Sequence, residues 1–378
     1  MKRIVYILLA ALTVLSPARA MAVSAASYIV VDADTGETLY EEAADTRRAI
    51  ASTTKIMTAL VALERGNMED EVRITAESAG IEGTSMYLSA GDTFRLEELL
   101  YGMMLVSGND AASAVAIHIG GSVERFTELM NEKAEELGAV NTSFANPHGL
   151  NDDRHYSTAR DMAIIASAAM KNEDFARIVS TKSVTVGGVT YKNHNKLLWM
   201  YDGILGVKTG YTKAAGRALV SCCERDGLRL ICVTLNDPDD WDDHMELYDK
   251  AFEEYRRVKV IDSEGDYIEL PVISGEGSST VPVRAAKSVS LLVTEEDEVT
   301  VYAELPRFVY ADVTEGERAG ALRWTVNGEP GGEVELVYSE SVERAAGADI
   351  GLLDTLMDKL MGFVERHLNK YGYYGDGD

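Results

Sequence analysis

Ser52-Thr53-Thr54-Lys55, Ser107-Gly108-Asn109 and Lys208-Thr209-Gly210 place hydroxyl, ammonium and amide groups in three short strings. A chain of this length holds about one S-x-x-K by chance, so no single string decides a function. The first sets a serine at the expected start of a helix, where free backbone N–H groups and the helix dipole favour developing negative charge. Lys55 follows three residues on and shares the serine's helix face. A lysine that is desolvated and crowded by other cations loses proton affinity and can then accept the serine proton. Ser107 and Asn109 flank a break between two helical runs, which aims a hydroxyl and an amide into a cleft. There Ser107 can relay a proton and Asn109 can hold a substrate amide. Lys208-Thr209-Gly210 reads as extended strand. A lysine beside a threonine hydroxyl suits a carboxylate, and Gly210 removes a side chain where a substrate backbone must come close. Each string also has an ordinary structural use, as helix caps, a helix break or a glycine bulge. Their joint occurrence favours chemistry over all three.

The elements that must position these groups are legible from periodicity. Ser27 to Asp32 reads as a strand, turned by Asp34-Thr35-Gly36 into a second strand ending near Tyr40. Ala51 to Arg65 reads as a helix, with Ile56, Met57, Leu60 and Leu63 at helical spacing and Gly66 as its stop. Two helical runs between Leu96 and His118 surround Ser107-Gly108, and helical patterns continue over Val123–Leu137 and Ser157–Met170. A sheet is expected from Val184 to Leu235 and an amphipathic helix from Asp242 to Arg256. From Val258 to about Val342 the chain alternates β-rich runs with turns, Asn327-Gly328 being the strongest hairpin signal. The acidic stretch Glu295-Glu296-Asp297-Glu298 reads as a solvated turn rather than a calcium loop. Near the end, Leu353, Leu356, Met357, Leu360, Met361, Val364 and Leu368 form one apolar helical face. That face suits either packing on the β-rich region or a membrane surface.

Bulk properties exclude several classes. The formal charge of −26 repels nucleic acid phosphates, so no nucleic acid partner is expected. The six histidines lack zinc-helix spacing and no C-x-x-C occurs, so neither a metal nor another cofactor is expected. Lys2-Arg3, an apolar run from Ile4 to Leu15 and Ala18-Arg19-Ala20 read as an export signal covering 1–20. Its removal takes Lys2, Arg3 and Arg19 and leaves the chain more acidic still. The three cysteines, Cys222, Cys223 and Cys232, lie on two apolar runs joined by Glu224-Arg225-Asp226-Gly227. The hairpin register sets Ser221, not a cysteine, opposite Cys232, so buried thiols are expected rather than a disulfide.

The three strings resemble the set that marks serine penicillin-recognising enzymes. From about Ala26 to Arg256 the chain resembles the low-molecular-mass penicillin-binding proteins that act as serine D-alanyl-D-alanine carboxypeptidases. Asn146-Pro147-His148-Gly149-Leu150, Tyr156-Ser157-Thr158-Ala159-Arg160-Asp161, Asn193-His194-Asn195-Lys196-Leu197-Leu198-Trp199 and Gly216-Arg217-Ala218-Leu219-Val220 fit as well. The resemblance implies an α/β (α+β) transpeptidase domain over 21–256, with an antiparallel sheet flanked by helices. A small all-β domain over 257–344 and an amphipathic helix and tail over 345–378 would follow. It implies attack by Ser52 on the penultimate D-alanine carbonyl of a peptidoglycan stem peptide, proton transfer through Lys55 and Ser107, and an oxyanion hole from the N–H groups of Ser52 and Tyr211. Asn109 would hold the substrate amide, Lys208 and Thr209 the terminal carboxylate, and His148 would stand at the site edge. β-Lactam antibiotics would acylate Ser52. The location implied is the cell envelope, at the outer face of the cytoplasmic membrane. Some relatives carry histidine where this chain has Tyr211, and some arginine where it has His194. A class A β-lactamase would need a water-activating glutamate, commonly in E-x-x-L-N, which does not occur between Ser107 and Lys208. A penicillin sensor that acylates without turnover is the non-enzymatic alternative. A Ser-His-Asp hydrolase would need a G-x-S-x-G elbow, which is absent.

Overall fold

The computed structural model describes residues 23–265 and 268–346, which fall into two compact units meeting in sequence between Glu254 and Tyr255. The expected export signal and the terminal amphipathic helix lie outside the described residues.

In the first unit, Ser27–Asp32 (β1) turns back into Thr38–Glu42 (β2). Asp32 Oδ1 accepts from the N–H groups of Asp34 and Thr35, and Gly36 takes the left-handed conformation that closes the turn. Helix α1 spans Lys55–Arg65, and a short hairpin pairs Glu71–Arg73 (β3) with Thr93–Arg95 (β4). Helices α2 (Leu96–Leu105), α3 (Asn109–Gly120), α4 (Val123–Glu136), α5 (Ala159–Met170) and α6 (Glu173–Ser180) follow. Ser122, Thr158 and Asn172 cap α4, α5 and α6 through their side-chain oxygens. A second hairpin joins Ser183–Val186 (β5) to Val189–Lys192 (β6), and one helical turn, α7, covers Leu197–Met200. Ile204–Thr212 (β7), Gly216–Arg225 (β8) and Leu228–Leu235 (β9) complete the main sheet, and α8 (Asp240–Glu254) ends the unit.

The five strands lie in the order β2-β1-β9-β8-β7, every neighbour antiparallel. The core sits between this sheet and the helices. It gathers Ile29, Val207, Val220 and Val233 from strands with Ile56, Leu60, Met103, Ala112 and Ile165 from helices, all at most 2 % exposed. The β8–β9 turn at Asp226-Gly227 has both residues at positive φ, as a two-residue hairpin requires. Ser221 therefore pairs with Cys232, and all three cysteines are free and buried, as the hairpin register predicts.

One expectation is corrected. The sheet expected without interruption from Val184 is split: β5–β6 is a separate hairpin around Gly187-Gly188, and α7 intervenes before β7. Gly66 ends α1 as expected, and does so in extended conformation. A Cβ there would meet Ile119 and Leu96 side chains at 2.6 and 2.7 Å, so close approach requires the glycine. The second unit is all-β among the described residues. It holds a six-stranded sheet and a two-stranded ribbon, and Asp297 in its acidic stretch is used in turn hydrogen bonds to Thr294 and Asn327.

Beneath α8, His244 is fully buried with Nδ1 at 2.7 Å from Ser221 Oγ and Nε2 at 3.1 Å from Thr234 Oγ1. Burial lowers its pKa to about 3. The unfolded chain protonates this histidine near its ordinary value of about 6.5 whereas the folded chain does not, so its contribution to stability is present above that value. It is lost as pH falls from there toward 3. Denaturant midpoints between pH 7.5 and 5 should therefore fall more steeply in the wild type than in His244→Gln, and equal slopes would remove His244 as the source.

Candidate active site

The Ser52 turn is built by its own neighbours. Ala51–Thr54 forms a 3-10 turn ahead of α1, so Ser52 stands one turn before the helix proper rather than inside it. Thr53 Oγ1 donates to the Ile50 carbonyl at 2.6 Å and Thr54 Oγ1 to the Ala51 carbonyl at 2.8 Å, which favours the tighter winding. His155, buried, sits with Nε2 2.7 Å from Thr54 Oγ1 while its Nδ1 accepts from the Ala145 N–H. Burial pushes its pKa down to about 4, which keeps the ring neutral and Nε2 a donor to Thr54.

Lys55 is fully buried, and its Nζ has three oxygen neighbours: Ser52 Oγ at 3.0 Å, Asn109 Oδ1 at 2.7 Å and the His148 carbonyl at 2.7 Å. Asn109 Nδ2 donates to the Glu82 carbonyl at 2.6 Å, which fixes the amide so that its oxygen faces Lys55. The Asn109 oxygen and the His148 carbonyl can only accept. A neutral Lys55 must therefore spend its two N–H groups on them and turn its lone pair toward Ser52 Oγ. Desolvation, and then repulsion from Lys208, hold the Lys55 pKa well below the ordinary lysine range, although Asp110 acts in the opposite sense.

The His148 carbonyl is delivered by a tight loop. Asn146 Oδ1 accepts from the N–H groups of His148 and Gly149, and Thr58 Oγ1 donates to the Pro147 carbonyl. Gly149 has φ +87°, and a Cβ there would lie 1.9 Å from the Ala51 oxygen, so only glycine lets this loop press on the Ser52 turn. The His148 ring accepts from the Leu150 N–H, and burial lowers its pKa to about 3. It is the backbone of His148, not its ring, that touches Lys55.

Ser107 stands between α2 and α3 at φ +64°, and its Oγ is buried with no hydrogen-bond partner among the described residues. Thr84 holds this break: its Oγ1 donates to the Ser107 carbonyl at 2.6 Å and its own carbonyl accepts from the Asn109 N–H at 2.8 Å. Asp110 in turn anchors the Ser85–Leu88 segment, accepting from Ser85 Oγ and from the Met86 and Leu88 N–H groups.

Strand β7 closes the other side. A Cβ on Gly210 would lie 3.1 Å from the Ser52 nitrogen and from the Ile50 oxygen, so the strand passes directly against the serine turn. Lys208 is 1 % exposed, with Nζ donating to the Thr209 carbonyl at 3.0 Å, and burial lowers its pKa to about 7. Ser52, Ser107, Thr209, Gly210 and Tyr211 line one cleft of about 270 Å³, together with Thr84, His194, Arg217, Asp240 and Trp241. Lys55, Asn109, Lys208 and the His148 carbonyl stand behind that wall.

Sequence reading missed four contributors. In the sequence Arg217 stands out only as part of Gly216-Arg217-Ala218-Leu219-Val220. It sits opposite Tyr211 on β8, ion-paired with Asp240 and 5.6 Å from the Trp241 ring centroid, and it brings a cation to the cleft. Thr84, Asp110 and His155 are supports whose partners lie far away in sequence, so no local pattern announces them. The arrangement offers a half-buried hydroxyl beside a proton-accepting amine, an unpartnered second hydroxyl and a cationic end.

Residues 13–239 match the D-alanyl-D-alanine carboxypeptidase family S11, and residues 255–344 match the C-terminal domain of penicillin-binding protein 5. The chain is 33 % identical to the D-alanyl-D-alanine carboxypeptidase DacF of Bacillus subtilis, over 86 % of this chain and 87 % of that one. Among solved structures, penicillin binding protein 5 from Haemophilus influenzae superposes with a TM-score of 0.69 at 30 % identity, covering 85 % of this chain and 98 % of that one. A peptidoglycan synthesis regulatory factor from Streptococcus pneumoniae gives a TM-score of 0.72 at 26 % identity, covering 85 % of this chain and 100 % of that one. With a buried lysine beside a cleft serine and both units matched, the chain belongs to the serine-type D-alanyl-D-alanine carboxypeptidases, the low-molecular-mass penicillin-binding proteins.

Proposed function

We propose that Ser52 is the nucleophile that removes the terminal D-alanine from peptidoglycan stem pentapeptides, and that β-lactams trap the same serine as an acyl-enzyme. The observation that carries this reading is the Lys55 environment, in which two fixed carbonyl oxygens leave the amine lone pair facing Ser52 Oγ. Ser52 Oγ adds to the penultimate carbonyl carbon while its proton passes to Lys55. The N–H groups of Ser52 and Tyr211 receive the oxyanion, a role supported by the close approach of β7 at Gly210, where an added Cβ would lie 3.1 Å from the Ser52 nitrogen. The C–N bond then breaks, and the departing amine takes a proton that reaches it from Lys55 through Ser107. Free D-alanine leaves and the peptide remains as an ester on Ser52. Water adds to that ester with Lys55 and Ser107 again carrying protons, which restores the serine.

Asn109, its amide held by the Glu82 carbonyl, orients Lys55. Thr209 with Lys208 and Arg217 receives the terminal carboxylate, the hydroxyl giving direction and the cations giving field. His148 serves through its carbonyl, which orients Lys55 from behind the cleft wall. No helix among the described residues is long and apolar enough to cross a membrane. We place the protein outside the cytoplasm at the envelope, with the 345–378 segment as its contact with the membrane surface or with the β-rich unit.

Ser52→Ala should abolish both penicillin labelling and D-alanine release from a peptide ending in D-Ala-D-Ala, a loss of roughly 10⁴-fold or more in kcat. Label that persists in this variant would overturn the assignment, and label without D-alanine release in the wild type would favour the sensor. Because Lys208 is held at about 7, KM for the peptide should rise as pH climbs through that value and the ammonium discharges. In Lys208→Gln the repulsion on Lys55 is gone, so the acidic limb of the penicillin acylation profile should move to higher pH. Arg217→Lys should raise peptide KM about tenfold or more with kcat little changed, the cost of one directed charged hydrogen bond. An unchanged KM would remove Arg217 from carboxylate binding.

A further inference from the structure

The polypeptide between Asp174 and Asp202 carries no carboxylate side chain. It does carry Arg177, Lys182, Lys192 and Lys196, in a chain whose 62 acidic residues outnumber its 36 basic ones. This segment forms the β5–β6 hairpin and α7 and opens a groove of about 710 Å³, lined by Val106, Lys192, His194, Lys196, Trp199 and Met200. His194 lines both this groove and the catalytic cleft, so the two adjoin at that residue. Trp199 is 44 % exposed and Met200 49 %, an apolar surface that folding alone does not call for. Lys192 Nζ stands 4.8 Å and Lys182 Nζ 6.0 Å from the Trp199 ring centroid. No ion pair among the described residues involves Lys182, Lys192 or Lys196, so their charge is not spent inside the protein.

The groove is fixed rather than draped. Asn193 is buried and its Nδ2 donates to the carbonyls of Val179 and Thr181, while the His194 N–H donates to the Leu105 carbonyl at the end of α2. Asn193 Oδ1 accepts from the Asn195 N–H, and Asn195 Oδ1 accepts from Leu197, which starts α7. The lysines and Trp199 therefore hold their places relative to Ser107, which follows α2 in the chain.

We propose that this groove is a second substrate subsite, which binds the anionic upstream part of the stem peptide and the sugar joined to it. Lys192 and Lys196 receive the free carboxylate of the stem, and the Trp199 ring with Met200 and Val106 carries its apolar and sugar surface. The charge decides the occupant. An acidic body repels polyanions broadly, so a local basic strip adjoining the cleft at His194 selects an anion already tethered there by its D-Ala-D-Ala end. Binding energy from this remote part then adds to that of the reacting end. The proposal rests on the carboxypeptidase reading of the neighbouring cleft.

The test compares three substrates on the full chain: a muramyl pentapeptide with its stem carboxylate free, the same compound with that carboxylate amidated, and a blocked tripeptide ending in D-Ala-D-Ala. In the wild type the free carboxylate should give roughly tenfold higher kcat/KM than the amide, mostly through KM, and the difference should shrink with salt. Lys192→Ala/Lys196→Ala should erase that difference, and Trp199→Ala should weaken both muramyl substrates. The blocked tripeptide and the rate of penicillin acylation should stay within about twofold, which also reports intact folding. Equal rates for charged and amidated substrates in the wild type, or equal losses on all three substrates in the variants, would overturn the subsite. If the wild type releases no D-alanine from any substrate, the carboxypeptidase reading fails instead. Calorimetric binding of the two muramyl compounds to Ser52→Ala then decides the groove by itself, with tighter binding of the free carboxylate supporting it and equal binding sinking it.

Discussion

The site depends on a single constraint: a lysine amine in full burial has two carbonyl oxygens that can only accept and one hydroxyl that can also donate. A protonated ammonium could satisfy all three, but burial and the second lysine nearby oppose its charge. Once the amine is neutral, geometry leaves it no choice of where its lone pair points. Much of the surrounding structure can be understood as what it takes to hold those two carbonyl oxygens still. Glu82 fixes the Asn109 amide, and Asn146, Thr58 and Gly149 fix the loop that ends in the His148 carbonyl.

The same economy explains where glycine stands. Gly149 and Gly210 bring two separate backbone segments against the Ser52 turn from different sides, and a methyl group at either would force them apart. The turn is thus compressed between a loop and a strand, with His155 and Thr54 bracing it from within. Catalytic placement here is a packing result as much as a hydrogen-bond result. The helix that carries Lys55 is long enough to be rigid and buried along most of its length.

Charge is distributed with comparable purpose. The chain is strongly acidic, yet Lys55, Lys208 and Arg217 gather around one cleft and a carboxylate-free stretch runs beside it. An acidic body carrying a small cationic entrance repels extended polyanions and favours a substrate that presents one or two carboxylates at defined points. The family to which the chain belongs acts on a peptide of that kind. The second, all-β unit carries no comparable gathering of groups among its described residues, and its match to a known C-terminal domain assigns it by sequence rather than by chemistry.

Ser52, Lys55, Ser107, Asn109 and the Lys208 string were legible because each is a local pattern: a helical i, i+3 pair, a break between helices and a strand ending in glycine. Helices α1 to α5 and α8, the β8–β9 hairpin and the unpaired cysteines were legible for the same reason, since periodicity and turn residues act over a few positions, whereas the short α6 and α7 carried too little periodicity to be read. What residue order could not supply is anything that depends on residues meeting across the fold. It gave no sign that His148 would touch Lys55 through its carbonyl, that Arg217 would reach the cleft beside Trp241, or that Thr84 and Asp110 would hold the serine break. By itself, the sequence determined the kinds of group available and the local shapes that carry them, because those follow from spacing along one chain. Only the tertiary structure decided which amine loses proton affinity, which oxygens it faces and which cations stand near it, because burial and orientation exist only after distant segments have packed.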